Sequence, residues 1–310
     1  MTTVRARVAA AADPAATPSA LADLAADPSR SVRRVVAGRP DTPPEALRTL
    51  VHDSDRQTRE CLARNPGCPP DILIVLLTDP HWSVRWTVLD NPGIDPAKRL
   101  DGPDHGLAVR LAAARSDDKD MRYILAQRLG LEDEVIDLLL HDTSAEVRAA
   151  LAERTDSPRT LESLFADPDP KVRRAAGFNA DTTAEQRHRL VSDPAAQVRS
   201  AVSEAKSVHG WEILEEDLML LARDRSVNVR WWLANGPGAT RPVYQVLAED
   251  RDESVATAAR AWLMEPLRRA PAVDEVAGIR VVGPRRMWGP RYVGEPIPHA
   301  EFDPASFPGA

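Results

Sequence analysis

Apolar residues along this chain fall in short groups at three- and four-residue intervals, and prolines interrupt the groups repeatedly. Val32, Val35 and Val36 share one side of a helix, as do Leu47, Leu50 and Val51 in the next stretch. No long segment alternates with period two, so the pattern predicts helices and no sheet. Each stretch is too short to bury its apolar side alone. The predicted elements must stack on copies of themselves.

The copies are visible. A Val-Arg pair recurs at Val32, Val84, Val109, Val147, Val172, Val198 and Val229, with degenerate copies at Thr58-Arg59, Met121-Arg122 and Val255-Ala256. Successive spacings are 26, 26, 25, 12, 26, 25, 26, 31 and 26 residues. Five residues before each pair stands Asp27, Asp53, Asp79, Asp104, Asp142, Asp167, Asp193, Asp224 or Asp250, with Ser116 in the one odd copy. The spacing of 12 reads as a repeat that lost half its unit, and the spacing of 31 as a loop insertion around Lys206 to Gly210.

Two helices per unit are predicted. Asp27-Pro28, Asp79-Pro80, Asp167-Pro168 and Asp193-Pro194 read as an N-cap followed by proline in the first turn. Gly38, Asn65, Asn91 and Asn179 read as helix ends that tolerate the left-handed conformation. Thr17-Pro18, Thr42-Pro43, Asp95-Pro96 and Ser157-Pro158 open the second helix, and Thr42/Glu45 and Thr182/Glu185 have capping-box spacing. The fold expected is all-α: a right-handed α-solenoid of about ten short two-helix repeats over residues 1–264. From Glu265 the period is lost and prolines crowd in, so residues 265–310 read as an extended tail, part disordered and part docked.

The Asp-x4-Val-Arg signature resembles the second helix of HEAT repeats. The period near 26 and the Asn-Pro-x-x-Pro type of linker, best seen at Asn65-Pro66-Gly67-Cys68-Pro69-Pro70, resemble the leucine-rich-repeat-variant family. The resemblance covers roughly residues 13–264 and implies a solenoid of alternating short helices. It says little about activity, because such solenoids host scaffolds, lyases and DNA glycosylases alike. Members of the variant family can carry an iron–sulfur cluster on N-terminal cysteines. The first cysteine here is Cys61, so the expectation is that no cofactor is bound.

Composition narrows the function. Forty basic and 47 acidic residues give a net charge of −7, which argues against a nonspecific nucleic-acid binder. No apolar run reaches the length of a membrane span, and no signal peptide is recognised, which favours the cytoplasm. Cys61 and Cys68 read as free thiols, and the seven histidines show no metal-ligand spacing. No phosphate-binding loop, nucleophile elbow or zinc-site spacing occurs, so a catalytic role is not expected and no metal is.

With the Val of each pair as position zero, positions zero, +3 and +4 read as the core side. Positions −2 and +2 then point away from it. On that outward stripe stand Trp82 and Trp86, Leu107 and Leu111, Tyr123 and Trp231, with Arg30, Arg34 and Arg56 at its start. Trp232, at +3, is expected in the core. Exposed aromatics at neighbouring units mark a binding surface. The arginines from Arg33 to Arg230 match the aspartates nearly one for one, which reads as a structural ladder rather than a phosphate site, as in the HEAT-like repeats it resembles. In the tail, Arg285, Arg286, Trp288, Arg291 and Tyr292 form a basic aromatic stretch that suits an interaction with the patch or elsewhere. The expectation is a protein- or peptide-binding scaffold with no membrane partner and nucleic acid disfavoured. The alternatives are a HEAT-like DNA-binding or alkylpurine-glycosylase-type repair protein and an accessory chaperone- or lyase-type subunit.

Overall fold

The computed structural model of the chain describes residues 3–94, 106–209 and 213–264. They form nineteen helices, and no strand occurs among the described residues. The five residues of the basic aromatic stretch at 285–292, and the rest of 265–310, lie outside the described residues.

The helices pack in two rows. One row is α1 (Val4–Ala12), α3 (Arg30–Gly38), α5 (Arg56–Arg64), α7 (Trp82–Leu89), α9 (Lys119–Ala126), α11 (Ala145–Arg154), α13 (Pro170–Phe178), α15 (Ala196–His209), α17 (Val227–Asn235) and α19 (Glu253–Met264). Each of these packs on the next odd-numbered helix. The other row is α2 (Pro18–Ala25), α4 (Pro44–Leu50), α6 (Pro70–Leu76), α8 (Gly106–Ala114), α10 (Asp133–Leu140), α12 (Pro158–Phe165), α14 (Ala184–Val191), α16 (Glu215–Ala222) and α18 (Arg241–Ala248). The chain is an all-α repeat solenoid whose thin core lies between the rows.

That core follows the expected face and extends it by one position. Positions zero and +4 are buried, as at Val32/Val36 and Met121/Leu125, +3 is buried at the small Ala150, Ala175 and Ala201, and +5 is buried in addition. Position +5 carries Ala37, Ala63, Ala126, Ala152 and Ala234, with the larger Leu89 on α7. A small side chain there lets neighbouring helices of the row approach closely. Position +3 sits at the edge of this face, buried also at Thr87 but only partly buried at Val35, Cys61 and Ile124.

The conserved spacing of the aspartates has a different cause from capping. Helix α3 starts at Arg30 and α7 at Trp82, so Asp27 and Asp79 lie in the turns before them. There each carboxylate accepts the backbone N–H two residues on, Ser29 N–H at 2.8 Å and His81 N–H at 2.8 Å. Thr17 and Ser157 do cap their helices. Thr42 and Thr182 do not; their hydroxyls donate to the Val36 and Ala176 carbonyls at 2.7 and 2.8 Å. The capping box lies one residue later, at Thr183 and Gln186.

Asn65 and Asn179 are not left-handed either, with φ −66°, ψ 116° and φ −63°, ψ 134°. Their side chains explain them. Asn65 Nδ2 donates to the carbonyls of Ala37 and Arg39 at 2.8 and 2.7 Å, one unit back. Asn91 repeats this on Ala63 and Asn65 at 2.6 and 2.9 Å, and Asn179 on Ala152 and Thr155 at 2.7 and 2.9 Å. Each buried amide sews two turns together where no helix bond can reach.

The two irregular spacings resolve as well. Helix α8, which carries Val109-Arg110, packs on α6 and α10, so it belongs to the second row. Its Val-Arg pair is a chance likeness, and no unit has been halved. The extra residues after Val198 are helical in part, since α15 extends to His209.

Candidate functional site

The arginine ladder decides which cations are available. Arg33 donates to Asp53 of the next unit through Nε (2.6 Å) and Nη2 (3.0 Å), and through Nη1 to the Asp27 carbonyl of its own unit (2.8 Å). The same three bonds recur at Arg59 with Asp79, Arg122 with Asp142, Arg148 with Asp167, Arg173 with Asp193, Arg199 with Asp224 and Arg230 with Asp250. Arg7 also pairs with Asp27, a member the sequence reading missed. Its signal was the interval of twenty residues from arginine to aspartate.

Two exceptions are informative. Where Ser116 replaces the aspartate, Arg85 reaches Asp118 instead, at 2.9 Å. Arg110, on the other row, lies outside the ladder and is held by Glu132 and the Ile94 carbonyl. Burial pushes the Asp79 carboxyl up, and the Arg59 hydrogen bond and the His81 amide more than reverse it, holding it below the usual range. With its donors committed in this way, the ladder is a structural device and offers no phosphate site.

The outward aromatic stripe stands on the first row. Trp82 is 67% exposed and Trp86 44%, one helical turn apart on α7. Tyr123, 39% exposed, occupies on the adjacent α9 the repeat position that Trp86 holds on α7. Leu107 and Leu111 do not join them. They lie on α8 in the other row, partly buried against the core. A hydrogen bond and two ion pairs border the patch. Ser83 donates to Glu60 at 2.6 Å, Arg56 lies 3.4 Å from Glu60, and Lys119 pairs with Glu146.

Of the three arginines expected to steer a partner, Arg34 is committed to Asp55 through bonds of 2.7 and 2.8 Å, which hold that carboxyl well below the usual carboxylate range. Arg30 and Arg56 are exposed.

Five helices of the same row beyond α7, Val227 and Trp231 occupy positions −2 and +2 of α17, and both are exposed. Trp232 is exposed too, against expectation. Position +3 lies at the edge of the core face, and an indole is too large to be covered there. It meets Trp231 edge-on instead, with centroids 5.3 Å apart and planes at 85°.

Other chemistry is sparse. Burial pushes the Cys68 thiol up to about 12, so it is inert as a nucleophile. No group of three His, Cys, Asp or Glu side chains suited to a metal occurs among the described residues. No described helix is long and apolar enough to cross a membrane.

No curated protein matches the chain. Among solved structures, a leucine-rich repeat variant with a novel repetitive structural motif is 23% identical, covers 78% of this chain and 80% of its own, and superposes with a TM-score of 0.42. The YibA protein of Escherichia coli is 16% identical, covers 86% of this chain and 98% of its own, with a TM-score of 0.32. The leucine rich repeat variant family model matches residues 30–55, which span α3, α4 and the turn carrying Asp53. The Arg-to-Asp ladder recurs along the described helices, and residues 30–55 are similar to the leucine-rich-repeat-variant unit.

Proposed function

We propose that this solenoid is a non-catalytic scaffold that binds a protein or peptide through Trp82, Trp86 and Tyr123. The observation that carries the reading is the exposure of three large aromatic rings on two adjoining helices of one row. A solvated helix face has no use for them, and aromatic side chains are the usual anchors of interfaces. Arg30 stands exposed on a preceding unit and favours acidic groups beside the anchor, while Arg56 shares its charge with Glu60.

The test is affinity for peptides selected from a random display library on the full chain, measured by fluorescence anisotropy. Trp86→Ala is expected to cost about 2 kcal/mol, roughly thirtyfold in Kd, while the urea unfolding midpoint stays unchanged. Unchanged affinity, or a loss that accompanies unfolding, refutes the assignment. Tight binding of duplex DNA at physiological salt, competing with peptide, replaces it with a nucleic-acid reading.

A further inference from the structure

The stripe carries a second aromatic position. Val227 and Trp231 on α17 occupy the repeat positions that Trp82 and Trp86 occupy on α7, and Trp232 adds a second ring at right angles. Between these ends, on α11, α13 and α15, the same positions hold Ala145, Ala149, Pro170, Ala196 and Ser200, with Arg174 the single long side chain. Arg174 is drawn aside, paired with Glu204 at 2.8 Å and lying over the Phe178 ring at 4.9 Å. The row therefore reads aromatic, then low and small, then aromatic. Arg30 and Arg64 stand exposed on α3 and α5 at one end, beside Arg56 and its partner Glu60.

We infer that this row holds one extended polypeptide segment at two points. Its first bulky apolar side chain seats at Trp82, Trp86 and Tyr123, and its second at Trp231 and Trp232. Its backbone lies over the small residues between, and acidic residues flank the first anchor over α3 and α5. The inference rests on the peptide-binding reading above and adds a second anchor, a spacing and a polarity.

The spacing follows from packing. Five helix-to-helix steps at 8–10 Å each put the anchors about 40–50 Å apart along the row. An extended chain advances about 3.3 Å per residue, so the anchors of the partner stand about 12–15 residues apart. Joining two weak anchors by a span of matching length raises affinity through effective concentration, by about a hundredfold or more.

Display selection with random peptides of about 24 residues, long enough to reach both anchors, separates the outcomes. Expected on the wild-type chain are binders with two apolar or aromatic residues at the inferred spacing and acids beyond one of them. Trp231→Ala/Trp232→Ala should weaken these about a hundredfold, to the level of one-anchor peptides. Binders that carry one anchor, lose affinity with Trp86→Ala and ignore Trp231→Ala/Trp232→Ala overturn the second anchor and leave the first. Binders indifferent to Trp82→Ala/Trp86→Ala overturn both, and so does failure to enrich any peptide.

Discussion

Replacing Asp79 by Ala removes one rung of the ladder and leaves its arginine behind. Arg59 is 11% exposed at its side chain and Asp79 3%, so water cannot take over the lost partner. The variant loses two charge-assisted bonds of 2.6 and 3.1 Å and the acceptor of the His81 N–H at 2.8 Å. Removing one partner of a buried pair costs about 3–5 kcal/mol, because a desolvated charge is stranded. The 2.6 Å bond of Arg59 to the Asp53 carbonyl survives, which places the expected loss at the lower end, about 3 kcal/mol. Arg59→Ala should cost a similar amount, and the double variant less than the sum by about 2 kcal/mol. The pair Arg189–Glu162 is the control. Its side chains are 48% and 52% exposed, and Arg189→Ala should cost less than about 1 kcal/mol.

The assay is urea unfolding followed by far-UV circular dichroism. Because stability in a repeat array is a sum of unit and interface terms, Asp79→Ala should also broaden the transition and lower its apparent m-value. A cost for Asp79→Ala no larger than that of the exposed control, with no coupling in the cycle, refutes the assignment of the ladder as an inter-unit clamp.

Three further outcomes follow from the same geometry. Asn65→Ala should cost about 2 kcal/mol in urea melts, since the carbonyls of Ala37 and Arg39 lose their donor, and Asn65→Asp should cost more because a carboxylate would face them. Gly67→Ala should cost about 2 kcal/mol, because a Cβ there lies 2.1 Å from the Pro40 carbonyl oxygen, while Gly93→Ala one unit on, at 3.3 Å from the Pro66 oxygen, should cost less. Stability should be flat as pH falls from about 7 to about 4 and then drop. The reason is that Asp27, Asp53, Asp79, Asp224 and Asp250 are held below their unfolded values, so their stabilisation is complete above those values and lost as pH falls through the folded ones. A urea midpoint that falls between about pH 7 and 5 assigns acid sensitivity to other groups.

The ladder and the two-row solenoid were legible because both repeat. A periodic Arg and Asp impose one geometry many times, and a misread copy is outvoted by its neighbours. The errors fell where a feature occurs once or where the partner lies one unit away. Val109-Arg110 carries the sequence of a rung but sits on α8, and only packing against α6 and α10 reveals its row. The asparagines looked like helix ends because a local rule favours Asn there; their actual partners are carbonyls 24 to 28 residues back.

Sequence by itself determined the helical period and the match of arginines to aspartates, since each depends on residue spacing along one chain. Packing decided which copies are units and which carboxylate each arginine meets. Sequence also placed Trp82, Trp86, Tyr123 and Trp231 on the outward positions. Tertiary structure decided which side chains are covered. Leu107 and Leu111 left the stripe because their helix packs in the other row, and Trp232 joined it because its position lies at the margin of the core. A helical wheel gives the direction of a side chain. Only the neighbouring helix decides whether anything stands in that direction to bury it.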